Sequence, residues 1–303
     1  MKSVVQFVHR LIINAGVEEI FVRLRKATNV IRKLIPIKLR SKFPSVGRFI
    51  PNASSYPTGE RYSLTRDNTH FIIDRSDYVQ WRLFYGVRDN ALAEAKKYVH
   101  SGGIVLDIGA NFGAFSLRLT SYIAENNIKN VQVHAFEPNP AVAKNYIHNL
   151  SLNPALANIV QFYQLGFGNE KAEKVFAFDI SNTGAGRITK DKASHQTQIS
   201  IERLDDWVDK IKPSRIAFIK LIVEGFEPEV FKGGWKTIYT YRPPIFFEVT
   251  EKWWKENNST IEEVLNKLRG LGYHFMIEHE NEMLRYEPTK FSKRTQFNLM
   301  ATV

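Results

Sequence analysis

The sequence predicts an α/β fold, a doubly wound and mostly parallel sheet, and three observations carry that reading. From about residue 100 onward, short β-branched or aromatic runs alternate with stretches of helix length. Most of the runs are apolar throughout, as strands covered on both faces are, and not polar at every second position. The first of them ends in a glycine turn that leads straight into a helix-length stretch, the place where doubly wound sheets bind their ligands.

Composition bounds the rest. The chain has 303 residues, 44% hydrophobic and 24% charged, enough for one large domain or one domain with an appendage. It contains no cysteine, which removes disulfides, thiolate metal sites and cysteine nucleophiles from its chemistry. The eight histidines show no tight metal-ligand spacing beyond a weak His274/His279 pair, so no metal site is expected.

The net charge of +11 is unevenly placed: residues 1–42 carry ten Lys/Arg against Glu18 and Glu19, a net +8, leaving +3 for everything after. This arm repeats apolar residues near helical spacing (Val4, Val5, Val8, Leu11, Ile12, then Ile20, Phe21, Leu24, Ile31) until Pro36. A basic amphipathic helix lies on an anionic membrane surface, each Lys/Arg contributing ~1 kcal/mol, or packs on its own domain or a second subunit. Peripheral membrane contact and oligomer formation through residues 1–42 both stand as expectations. Nucleic acid is not the expected partner, because no binding-module motif is present and no basic stripe continues into the rest of the chain. No run reaches the ~18 apolar residues of a membrane-spanning helix, and the opening stretch makes a poor signal peptide, so the expected compartment is the cytoplasm.

Residues 43–66, rich in Pro, Ser, Gly and Asn, read as a linker, so the expected division is 1–66 (arm and linker) and 67–303 (one domain). The aromatic stretch 77–86 reads as a helix on the sheet edge or as rings that stack on a sugar. Strands are expected at 104–109, 131–137, 159–165, 216–223, 245–249, 273–278 and 297–303. Helices are expected at 114–126, 140–152, 228–240 and 259–270, the third beginning at Pro228. Residues 174–178 look like one arm of a hairpin, followed by a glycine-containing loop, 182–187, suited to a lid.

The first strand end reads Asp107-Ile108-Gly109-Ala110-Asn111-Phe112-Gly113. It departs from the dinucleotide fingerprint, and a carboxylate beside a helix start disfavours a pyrophosphate. Asp107 instead suits a cofactor carrying positive charge, as S-adenosylmethionine does. About thirty residues on, Phe136-Glu137-Pro138-Asn139-Pro140 ends the second strand. There Glu137 can accept both ribose hydroxyls or cap the helix begun at Pro140.

With these segments on the page, the chain resembles the FkbM family of S-adenosylmethionine-dependent methyltransferases, a class I Rossmann-like fold. The resemblance continues through Leu204-Asp205-Asp206-Trp207, Phe218-Ile219-Lys220-Leu221-Ile222-Val223-Glu224-Gly225-Phe226-Glu227, Phe231-Lys232-Gly233-Gly234 and Pro244-Ile245-Phe246-Phe247-Glu248. It implies methyl transfer to hydroxyls of glycans, glycolipids or related small molecules. It implies a cofactor set of Asp107, Gly109, Asn111, Gly113 and Glu137, and a reaction centre lined by the segment from Lys220 to Glu227.

The chain departs from the family pattern Lys-x-Asp-x-Glu-Gly at Ile222, which stands in the Asp position. Methyl transfer to an alcohol needs the hydroxyl proton removed, and the missing carboxylate is a natural base. Three readings follow: Glu224 or Glu248 is the base, the protein is a cofactor-binding scaffold altered in catalysis, or the Asp was dispensable. Lys220, Glu224 and Glu248 are the catalytic candidates. Two of them have a plainer reading, Lys220 as an ion-pair partner of Glu224 or Glu248 and Glu224 as a helix cap. A 2′-hydroxyl of RNA stays open as an alternative acceptor.

Overall fold

The computed structural model describes residues 9, 12, 13, 16–18, 20, 23, 51–179, 182–188, 195–279, 282–291 and 294–303. Most of the basic arm lies outside these, and with it the expected amphipathic helix. The described chain falls into two compact units, one of residues up to Ser63 with Ile73–Val87, the other of Leu64–Ile72 with Arg88–Val303. No helix among the described residues is long and apolar enough to cross a membrane.

In the first unit, α1 (Tyr78–Phe84) starts at Asp77, whose carboxylate accepts the N–H groups of Val79 and Gln80. Arg75 lies over the rings of Tyr56 and Tyr62, both at 4.6 Å, and pairs with Glu60 at 2.8 Å. The stretch expected as a linker is therefore structured from residue 51, with Tyr56 buried. The strands β1 (Arg61–Arg66) and β2 (Thr69–Asp74), of which Leu64–Ile72 fall in the second unit, form a hairpin sheet with Asp67 and Asn68 of its turn at positive φ.

The second unit is built on α2 (Asn90–Tyr98), β3 (Gly103–Ile108), α3 (Ser116–Glu125), β4 (Val131–Phe136), α4 (Pro140–Ser151) and β5 (Val160–Tyr163). Next come β6 (Gly166–Gly168), β7 (Ala172–Asp179), β8 (Asn182–Ile188), β9 (Gln196–Arg203), α5 (Leu204–Ile211), β10 (Ile216–Leu221) and α6 (Glu227–Tyr241). The chain ends with β11 (Ile245–Thr250), α7 (Glu251–Glu256), α8 (Ile261–Gly270), β12 (His274–His279), β13 (Glu282–Arg285), α9 (Pro288–Phe291) and β14 (Gln296–Thr302).

The main sheet runs β13-β12-β14-β11-β10-β3-β4-β5, parallel from β11 through β5 and antiparallel at β14 and β12. The expected doubly wound, mostly parallel architecture is this one. Strand order reverses between β3 and β10, so the chain leaves β3 and β10 side by side at the switch point. Central strands are buried at nearly every position, β10 at all six, which is why they read as continuous apolar runs. The apolar core joins Leu106, Ile219, Leu221 and Phe247 of the sheet to Val230 and Phe231 of α6.

A smaller sheet, β6-β9-β7-β8, lies between β5 and α5 in the chain. The segment expected as a lid loop, 182–187, is part of its strand β8, paired antiparallel with β7. Its glycines lie inside that strand.

Candidate active site

The site is assembled at the carboxyl ends of β11, β10, β3 and β4, which lie side by side. Register places Lys220 of β10 directly opposite Asp107 of β3. The Lys220 Nζ donates to Asp107 Oδ1 at 2.9 Å and to the Gly109 carbonyl at 2.8 Å. Asp107 is 0% exposed and Lys220 9%, so this is a buried ion pair, and removing one partner would leave the other uncompensated. The Phe115 ring lies 5.8 Å from Nζ. The Asp107 Oδ2 atom is buried and accepts no hydrogen bond. Buried carboxylate oxygens are normally satisfied, so an unbonded one beside a sheet's ligand crevice asks for a donor from outside the chain.

The two glycines of the turn are dictated by the chain itself. Gly109 has φ +83°, and a Cβ there would stand 1.9 Å from the Ile222 carbonyl oxygen. Gly113 has φ +96°, and its Cβ would stand 2.9 Å from Leu117 Cδ1. Close approach between neighbouring segments therefore explains the spacing. Asn111 adopts φ +50°, with its own Oδ1 accepting the Phe112 N–H at 2.7 Å.

Glu137 braces this turn. Its Oε2 accepts the Asn111 N–H and its Oε1 the Asn139 N–H, both at 3.0 Å. Helix α4 is capped by Asn139, whose Oδ1 accepts the Ala141 N–H, so Glu137 is not the cap. Burial pushes the Glu137 carboxyl up to about 7, against the opposing pull of those backbone donors and of Lys220.

The second half of the site is acidic. Strand β10 stops at Leu221, and the chain then turns, with Glu224 at φ +53° and Gly225 at φ +91°. The strand expected over 216–223 would have put Lys220, Ile222 and Glu224 on one side of the sheet, with Ile222 interrupting the charged pair. The early turn breaks that alternation, and the backbone of Ile222 instead packs on Gly109. Burial, reinforced by the charges of Glu248 and Glu227, pushes the Glu224 carboxyl up to about 9. Glu224 does not cap α6, whose N-cap position is Phe226. Glu248, on β11, accepts from Gln296 Nε2 at 3.2 Å. Lys220 gives its bonds to Asp107 and Gly109, not to Glu224 or Glu248 as its plainer reading supposed.

One residue that the sequence placed only at the end of the reaction-centre segment, Glu227, completes the acidic half. Glu227, the first residue of α6, is fully buried; its Oε1 accepts the Val223 N–H at 2.8 Å and its Oε2 the Trp254 Nε1–H at 3.1 Å. Burial and the charge of Glu248 push this carboxyl up to about 8. The readable signal was an acid immediately before Pro228, at a helix start three residues after Glu224. Asp205 and Trp207 have structural work instead. Asp205 Oδ1 accepts the Thr237 N–H and Oγ1–H at 2.8 Å, and the Trp207 ring meets Phe136 edge-on at 5.0 Å. Among the described residues no group of three or more His, Asp or Glu side chains is placed to hold a metal.

Residues 107–275 match the profile of the Methyltransferase FkbM domain. No curated protein matches the chain. Among solved structures it is similar to the methyltransferase FkbM of Methylobacillus flagellatus KT, with 16% identity over 66% of this chain and 43% of that one, TM-score 0.41. It thus spans less than half of that relative's length. It is also similar to the magnesium protoporphyrin IX methyltransferase of Synechocystis PCC 6803 with bound SAM (10% identity, 74% and 83% covered, TM-score 0.39). A third similarity is to a B. subtilis tRNA methyltransferase (11% identity, 71% and 65% covered, TM-score 0.34).

Proposed function

The chain belongs to the FkbM methyltransferase family, and on that premise we propose that it transfers a methyl group from S-adenosylmethionine to a hydroxyl of a glycan, glycolipid or related small molecule. The observation that carries the reading is the buried, unbonded Oδ2 of Asp107 at the switch-point turn. A cationic donor supplies what that atom lacks. Glu137 keeps a second lone pair on each oxygen beyond its two backbone bonds, which suits two ribose hydroxyls. Asp107, Asn111 and Glu137 would thus hold the donor, with Gly109 and Gly113 giving the turn its shape. Lys220 would hold Asp107 in place.

S-adenosylmethionine, when bound there, would supply an electrophilic methyl for the acceptor oxygen, its sulfonium leaving as a neutral thioether. Glu224 takes the acceptor's hydroxyl proton, the step that makes the oxygen a competent nucleophile. Because its carboxyl is held up near 9, it serves as base in the deprotonated form, so kcat/KM for the acceptor rises with pH through that region. Glu248 contributes negative charge that keeps Glu224 a strong base. Ile222 leaves the position of the family's Asp apolar, and the proton falls to Glu224. The basic residues 1–42 would bring the enzyme to an anionic membrane where a lipid-linked acceptor resides, which co-sedimentation of the full chain with anionic and neutral vesicles tests.

A screen of sugar, glycolipid and RNA acceptors with radiolabelled methyl donor tests the reaction. Label in a sugar or glycolipid supports it. Label in RNA alone, or in nothing while the donor binds, overturns it.

A further inference from the structure

Glu227 is the acid of this cluster that the proposed chemistry leaves unused. It is 0% exposed, and a buried carboxyl is costly unless fully bonded. Its backbone opens α6, while its side chain joins the turn after β10 to the indole of Trp254 on α7. The same turn is held at its other end. Asn257 Nδ2 donates to the Gly225 carbonyl at 3.0 Å and to the Trp253 carbonyl at 3.1 Å. A Cβ on Gly225 would stand 2.3 Å from Trp253 Cβ, so the turn lies against α7 with no space to spare. Glu224 sits between these anchors, in a left-handed conformation that a side-chain-bearing residue adopts only when its surroundings impose it.

We infer that Glu227 is a positioning residue: with Trp254 it fixes the turn that carries Glu224, and so sets where the Glu224 carboxyl meets the acceptor hydroxyl. This rests on the reading of Glu224 as the base. The groups whose charge acts on Glu224 are Glu227 of α6, Glu248 of β11, Lys220 of β10 and Glu137 beyond β4. Loss of the Glu227 charge therefore lowers the pH at which Glu224 deprotonates.

The test uses the full-length protein with Glu227→Gln and Trp254→Phe. Glutamine offers a single acceptor oxygen, so either Val223 N–H or Trp254 Nε1–H faces an amide NH2. Hydrogen exchange at the Val223 amide is expected to accelerate by about tenfold or more in Glu227→Gln, with β10 and α6 unchanged. In the same variant kcat falls by about tenfold or more, because misplacement of a reacting group by a fraction of an ångström is felt in the chemical step. Affinity for S-adenosylmethionine and acceptor KM change by less than about threefold, a split that a merely structural defect would not give. The rise of kcat/KM moves to lower pH in Glu227→Gln but stays in place in Trp254→Phe, which keeps the charge. If Glu227→Gln fails to fold, Trp254→Phe decides by its exchange rate and kcat.

A folded Glu227→Gln with wild-type Val223 exchange and wild-type kcat overturns the inference. Should the wild-type protein methylate no acceptor, the base reading of Glu224 fails, and the Val223 exchange rate alone then decides whether Glu227 holds the turn.

Discussion

The two halves of the site are built on opposite principles. Around Asp107 and Glu137, every acid but one oxygen is tied down, by Lys220 on one side and by backbone N–H groups on the other. Around Glu224, Glu227 and Glu248, carboxyls crowd one another, and the first two are held well above their ordinary range. Fixed partners give the first half a defined hydrogen-bonding surface, in which burial raises the Glu137 carboxyl to about 7. A crowded acidic cluster makes a proton acceptor. On the proposed reading, donor binding and proton removal fall to neighbouring strand ends, and the two can be broken separately.

The largest break is expected from Glu224→Gln, which should lower kcat by about a thousandfold while leaving donor affinity within about threefold. Steady-state kinetics beside calorimetry checks it, and equal loss in both would join the halves that are separated here. Next is Gly109→Ala. Its positive φ and the Ile222 carbonyl 1.9 Å from the new Cβ should cost on the order of 3 kcal/mol in urea denaturation.

A third outcome concerns pH. Glu224 and Glu227 have folded-state values raised above the ordinary 4.5, to about 9 and about 8. Their contribution to stability is therefore fully present below pH 4.5 and lost as pH rises toward 9. Donor-free protein should lose stability between the two ends of that window, and Glu224→Gln should flatten the slope, as urea midpoints at several pH values would report. The smallest effect is expected from Ile222→Asp, which restores the family's carboxyl beside Glu224 and should raise kcat by about tenfold. Equal rates would show that the position does not matter.

Much of this contrast was legible from residue order. The placement of Asp107 and Glu137 at strand ends was readable because an acid ending a buried strand, with a turn after it, leaves a clear mark in the sequence. The parallel strands were readable because burial on both faces makes them continuously apolar. The smaller sheet was not, because β9 is covered on one face and its apolar residues Ile199 and Ile201 alternate with exposed polar ones. The hairpin β1–β2 was hidden inside a polar stretch, although Asp67-Asn68 is a turn pair that both take positive φ. Glu227 escaped because its role depends on Trp254, 27 residues away, and on a turn that ends β10 two residues early.

Titration calorimetry of S-adenosylmethionine into the wild-type protein, Asp107→Asn and Glu137→Gln tests the donor half most directly. Saturable binding by the wild type, weakened by about tenfold or more in each variant, is the result this structure predicts. Wild-type protein that takes up no donor, or variants that bind it as tightly as wild type, would contradict it.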